Sequence, residues 1–126
     1  MINTNQFKKS IFYALTGLSV TFAREQNFRI HTIMAMSAVL LAFLLQCSRI
    51  EWIFLSIIIF SVLVGELINS ATERLIDLLR PRLSEQAKFV KDCMAAVIFL
   101  LSLNALFVGV LIFIPKIIQL LKAFLG

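Results

Sequence analysis

Charge is what this chain has least of. Only 15% of its 126 residues are Asp, Glu, Lys or Arg, against 60% hydrophobic, and the mean hydropathy is +0.96. A soluble domain this small could not hide so much apolar surface, whereas a membrane protein need not. Glycine is also scarce: Gly17, Gly65, Gly109 and Gly126 are the full set, and none falls in a P-loop or a kinase glycine loop. The two cysteines, Cys47 and Cys93, fall near opposite ends of different apolar segments, which argues against a disulfide between them and suggests two small buried hydrophobes. The lone histidine, His31, reads as a hydrogen-bonded structural residue without a catalytic role. The basic residues form no aromatic-interleaved face outside the membrane, so nucleic acid is a poor partner. Ser, Thr and Lys interrupt residues 7–22 and no small-residue cleavage site follows, which argues against a signal peptide. Internal repeats and low-complexity tracts are lacking too, so residues 1–126 read as one domain.

What remains is a pattern of three apolar spans, at about 30–47, 52–68 and 93–114. The first two are near the lower length limit for about 30 Å of hydrocarbon, and the third fits comfortably. Ahead of them, Phe7, Ile11, Leu15, Leu18 and Phe22 recur at steps of three and four. That spacing predicts an amphipathic helix over about 5–24 lying on the membrane surface, with Lys8 and Lys9 near the headgroups. Residues 24–29 form a polar hinge, and residues 48–51 a short turn that makes spans one and two an antiparallel hairpin. The second helix should continue through Asp77 to about Leu79, with Pro81 ending it, Ser84 capping the next helix and Pro115 marking the outer end of span three. Asn104, in mid-span, should hydrogen-bond to a neighbouring helix.

Orientation follows from Lys and Arg. Lys8, Lys9, Arg24, Arg29, Arg74, Arg80, Arg82, Lys88 and Lys91 fall on one side, and only Arg49, Lys116 and Lys122 on the other. Nine against three puts the N-terminus and the second connection in the cytoplasm and the C-terminus outside. The formal charge of +5 is then a topology signal plus attraction to anionic headgroups.

Against this apolar background, Glu66, Asn69, Glu73 and Asp77 share one helical face at offsets of 3, 7 and 11. Carboxylates in or beside a bilayer are costly and point to function. Trp52 to Glu66 is about 21 Å of helix rise, which sets Glu66 at the inner boundary of the hydrocarbon and Glu73 and Asp77 at headgroup depth. Glu25, Lys91 and Asp92 reach the same layer. Two carboxylates there suit Mg²⁺, which binds through one or two carboxylates plus phosphates and water, and a lysine can hold phosphate. These are the parts of a phosphoryl transfer from nucleotide to lipid. The alternative is an inner-face ion-pair network in which Glu73 and Asp77 meet Arg74 or Arg80 and only helix register is set.

The stretch Glu66-Leu67-Ile68-Asn69-Ser70-Ala71-Thr72-Glu73 with Asp77, the pair Lys91-Asp92 following 14 residues later, and residues 17–29 with Glu25 and Phe28-Arg29 resemble the bacterial integral-membrane diacylglycerol kinase family over nearly the whole chain. The resemblance implies an all-α membrane protein: a surface helix, three transmembrane helices and a homotrimer in the inner membrane with its active site cytoplasmic. It implies ATP and Mg²⁺ as cofactors and a membrane lipid as substrate. Glu66 would be the general base and Asn69 would orient it or the substrate. Glu73 and Glu25 would hold the metal, Lys91 and Asp92 would contact the nucleotide, and Tyr13 would neighbour the adenosine. The loop Arg80-Pro81-Arg82-Leu83-Ser84 departs from the family pattern, which removes the nucleotide contacts expected there. Asn27-Phe28-Arg29-Ile30-His31, Ile50-Glu51-Trp52 and Phe113-Ile114-Pro115-Lys116 look more like the undecaprenol kinase branch than the diacylglycerol branch. A proton- or cation-coupled transporter would account for Glu66 but not for the other polar residues gathered at one surface. A non-enzymatic scaffold would tolerate replacing the carboxylates.

Overall fold

The computed structural model describes residues 4–79 and 84–125. They form four helices: α1 (Thr4–Arg24), α2 (Gln26–Leu44), α3 (Arg49–Leu79) and α4 (Glu85–Leu125). Helices α2, α3 and α4 are each long and apolar enough to cross a membrane. The expected Pro81 stop, and Arg80 and Arg82 of the altered loop, lie outside the described residues.

Hydroxyl residues in these helices do not interrupt them. Thr16, Thr32, Ser37 and Ser61 each donate to the backbone carbonyl four residues earlier, so the hydroxyl needs no water. Between α1 and α2 the chain turns at one residue, Glu25, whose backbone is extended (φ −101°, ψ 116°). Arg29 Nη1 spans this corner and donates to the Ala23 carbonyl at 3.1 Å, taking up an acceptor that the end of α1 leaves open.

The α2–α3 connection is built from two capping devices. Cys47 N–H donates to Ala42 O at 3.0 Å and Gln46 N–H to Phe43 O at 3.2 Å, closing α2 in a Schellman arrangement. Gln46 takes the left-handed position at φ 49°, where glycine is more usual. Ser48 then opens α3: its Oγ accepts from Glu51 N–H at 3.3 Å, while its own N–H donates to Glu51 Oε2 at 2.6 Å. This reciprocal pair is a capping box. Glu51 precedes the apolar stretch of α3, and the Ser48 N–H bond holds its carboxyl below the usual range. Lys116 Nζ meets the same Oε2 at 3.1 Å, tying α4 to the turn. At the other end of α4, Ser84 Oγ accepts from Ala87 N–H at 3.2 Å, the cap that its position predicts.

Helix α3 is central, packed most extensively on α4 and next on α2. At the Trp52 end, Ala42, Leu55 and Ile112 are buried together, with Trp52 and Phe113 against them. Gly65 lets α3 and α4 approach closely, since a Cβ there would stand 2.6 Å from Leu101 Cδ1. Most large apolar side chains are exposed on the single chain. In a membrane chain these face lipid or other subunits.

Helix α4 runs through Pro115 to Leu125, since proline bends a helix without necessarily stopping it. Two expectations need correction. Asn104 is exposed and meets no neighbouring helix of the same chain among the described residues, because it lies on the outward side of α4. Cys93 is exposed rather than buried, and Cys47 is half-buried; both are free.

Candidate functional site

Among mostly exposed residues, the buried polar ones stand together. Glu66 is 2% exposed, Asn69 9% and Ser70 6%, all within little more than one turn of α3. The packing of α2 and α4 against α3 covers this turn, helped by the missing side chain at Gly65.

From α2, His31 Nε2 comes within 3.2 Å of Glu66 Oε1. The two are near enough for an ion pair but not lined up for a hydrogen bond, so Oε1 stays buried without one. One turn on, Asn69 Nδ2 donates to Glu73 Oε1 at 3.3 Å, while Asn69 Oδ1 is also buried and unpartnered. Two buried acceptors side by side call for a donor that the described residues do not supply. Beside them an apolar cavity of about 360 Å³ opens between α2, α3 and α4, lined by His31, Met34, Val62, Leu106 and Phe113 among others. Its lining suits a hydrocarbon chain, with His31 bordering both the cavity and Glu66.

Toward the far end of α3 the contacts are ionic. Arg74 Nη2 donates to Glu25 Oε1 at 2.8 Å, joining α3 to the α1–α2 corner. Lys91 Nζ donates to Asp77 Oδ1 at 2.6 Å, joining α4 to α3. Lys91 precedes the apolar stretch of α4, and its bond to Asp77 raises its pKa. Thus Arg74 pairs with Glu25 rather than with Glu73 or Asp77, and Asp77, without an assigned role in the sequence, is the partner of Lys91. Through Asn69 and Arg74, Glu73 and Glu25 are tied to the helix that carries Glu66.

The fold therefore gathers Glu25, Glu66, Asn69, Glu73 and Lys91 in one layer. Asp92 is exposed beside Lys91. No hydrogen bond or ion pair among the described residues brings Tyr13 to the cluster; it is exposed and stands edge-to-face with Phe12, ring centroids 6.0 Å apart. Sequence reasoning missed His31 as a neighbour of Glu66. The only local signal was a titratable ring at the start of span one, at the inner boundary where Glu66 is also expected.

Residues 12–113 match the family of prokaryotic diacylglycerol kinases. The chain belongs to that family. Its members are lipid kinases, which implies ATP and a lipid as substrates. Among relatives, the undecaprenol kinase of Bacillus subtilis (strain 168) is 33% identical over 113 residues, covering 90% of this chain and 92% of that protein. A diacylglycerol kinase of Synechocystis is 34% identical over 113 residues, 89% of this chain but 65% of that protein. A diacylglycerol kinase of Helicobacter pylori (strain J99) is 36% identical over 84 residues, 67% of this chain and 66% of that protein. The match to the family spans α2 and α3 whole, with most of α1 and α4. It thus takes in every residue of the polar layer.

The fit to a divalent cation can be judged from the donors present. Among the described residues no three His, Cys, Asp or Glu side chains are arranged as a preformed metal cage. The oxygen donors present, the Glu25 and Glu73 carboxylates and the unpartnered Asn69 Oδ1, are of the chemical kind that Mg²⁺ takes, with Glu25 engaged by Arg74 and Glu73 by Asn69.

Proposed function

We propose that this lipid kinase transfers the γ-phosphate of ATP to the hydroxyl of undecaprenol, giving undecaprenyl phosphate, with diacylglycerol as the second candidate acceptor. The observation that carries the reading is the buried, unsatisfied Glu66 Oε1 beside an apolar cavity. A lipid alcohol fits both: its chain fills the cavity and its O–H is the missing donor. Near end-to-end coverage of the Bacillus undecaprenol kinase favours the polyprenyl acceptor over diacylglycerol.

Glu66 acts as general base. The lipid oxygen bonds to the γ-phosphorus as the bond from phosphorus to the bridging oxygen of ADP breaks, and Glu66 takes the hydroxyl proton as charge builds. Asn69 orients the base through its own turn of α3, and Lys91 with Asp92 holds the nucleotide near its phosphates. Tyr13 serves the adenosine from the surface helix α1. Glu73 and Glu25 would hold Mg²⁺, which supplies charge neutralisation at the phosphates. Arg74, already on Glu25, must share or yield that carboxylate to the cation.

The remaining assignments follow the same reading. Residues 1–126 form one domain, with α1 on the membrane surface and the carboxylate layer facing the cytoplasm of the inner membrane. A homotrimer completes the site, and the exposed Asn104 in the middle of α4 favours such an assembly, because an amide in hydrocarbon needs a partner from another chain.

The test is ADP release by the purified protein in lipid nanodiscs, with undecaprenol and diacylglycerol offered side by side, with and without Mg²⁺. Turnover that needs both lipid and Mg²⁺ and is faster with undecaprenol supports the proposal. Faster turnover with diacylglycerol replaces the acceptor, and ADP release indifferent to lipid removes the kinase reading of the cavity.

A further inference from the structure

We infer that the last segment of α4, residues 117–125, is an interfacial helix lying on the bilayer surface at the Trp52 end of the bundle. Lys116 reaches Glu51 at 3.1 Å, so at Lys116 the helix α4 draws level with the turn that joins α2 to α3. Nine residues of α4 remain, and they overhang the other two helices by about 13 Å.

The overhang differs in pattern from the span below it. Within the span the bundle-facing line of α4 runs through Ile98, Ala105 and Ile112 and ends at Lys116. Beyond it Lys116, Gln119 and Lys122 step around the helix by about 60° each, making a polar face centred on Gln119. Ile117, Ile118, Leu120, Leu121, Phe124 and Leu125 fill an arc centred about 180° away. None is buried, and the exposure reaches 82% at Phe124 and 87% at Leu125.

Neither water nor a longer span suits this segment. Water would meet six large apolar side chains on one face. A span from 93 to 125 would rise about 50 Å, far more than the roughly 30 Å of hydrocarbon, and would carry two lysines and a glutamine into lipid. A helix in the plane of the interface satisfies both faces.

Pro115 turns the chain in the required direction. It lies about 40° from Gln119 on the wheel, hence on the polar side. Its ring crowds the Leu111 carbonyl and it offers no N–H there. The helix therefore opens on the polar side and bends toward the apolar side, which lowers the apolar face onto the bilayer. Lys116 and Lys122 are left level with the headgroup phosphates. The occupant is lipid, because the apolar face is continuous with the membrane-spanning surface of the same helix.

Spin labels test this independently of activity. Cys47 and Cys93 are replaced, and single cysteines are placed in turn at Gln119, Leu121, Lys122 and Phe124 of the full chain. The proteins are reconstituted in phosphatidylcholine vesicles containing anionic phosphatidylglycerol, and depth is read from oxygen and nickel-chelate accessibility. Labels at Leu121 and Phe124 should sit about 5–10 Å below the phosphates, with those at Gln119 and Lys122 at or above them. Equal nickel accessibility at all four positions overturns the inference. So does protection at Leu121 and Phe124 from both reagents with spin–spin broadening, which would assign the face to a second copy. In a Pro115→Ala background the two deep labels should lose their depth; unchanged depth would refute the role of the bend.

Discussion

Replacing His31 by alanine should slow turnover about tenfold in the native background and not at all once Glu66 is glutamine. The reasoning starts from one contact. His31 Nε2 lies 3.2 Å from Glu66 Oε1, and Glu66 is 2% exposed, so little solvent is present to take over if the ring is removed. Residues in direct contact couple by about 0.5–3 kcal/mol. A middle value of about 1.5 kcal/mol for this ion-pair contact corresponds to roughly tenfold in rate. If Glu66 is the general base, as proposed, removing it should cost about 10²–10⁴-fold. If His31 acts by holding the Glu66 carboxylate, its contribution vanishes with that carboxylate. The assay is ADP release at saturating ATP and lipid for the native protein, His31→Ala, Glu66→Gln and the double variant. The cycle should give a coupling of about 1.5 kcal/mol, with the KM for ATP unchanged across all four. Equal fold losses from His31→Ala in both backgrounds would refute the positioning role. Native-like turnover of Glu66→Gln would remove Glu66 as the base.

Two further outcomes follow from the α3–α4 pair. Asp77 raises the pKa of Lys91, so the ammonium persists to higher pH in the native protein than in Asp77→Asn; the alkaline rise in the KM for ATP should therefore begin at lower pH in the variant, and coincident profiles would separate Asp77 from nucleotide binding. Gly65→Val should overpack the crossing beside Leu101 and cost about 1–3 kcal/mol, read as a lowered melting temperature in nanodiscs, whereas native-like melting would show that the close approach is readily relaxed.

The parts of this fold written in short-range chemistry were legible in the sequence. Apolar run lengths mark the helices that can cross a membrane, Ser84 announces its cap, and the polar hinge falls where the backbone breaks at Glu25. The spacing of Glu66, Asn69 and Glu73 predicts one face, and Asn69 does reach Glu73. Partner choice across helices was not legible. Arg74 selects Glu25, 49 residues away, over carboxylates on its own helix, and Asp77 selects Lys91 across the α3–α4 connection. His31 shows the same limit: a lone ring on an apolar helix acquires meaning only when the crossing of α2 and α3 sets it against Glu66. Asn104 fails for another reason, since it lies on the outward side of α4.

The ion pairs at the two ends of the α3–α4 pair act as rungs of one ladder. On α3 the rung positions are Glu51 and Asp77, about 39 Å apart; on α4 they are Lys116 and Lys91, about 37.5 Å apart. The two rails match to about one residue of rise. A slip of one helical turn, about 5.4 Å, would break both rungs together, so residue counting fixes the height of α4 against α3. Lys91, the lysine proposed to hold the nucleotide, is thereby set to its depth from the far side of the bundle. Inserting or deleting a full turn in either helix between the rungs would move Lys91 past Asp77 without altering any residue near it.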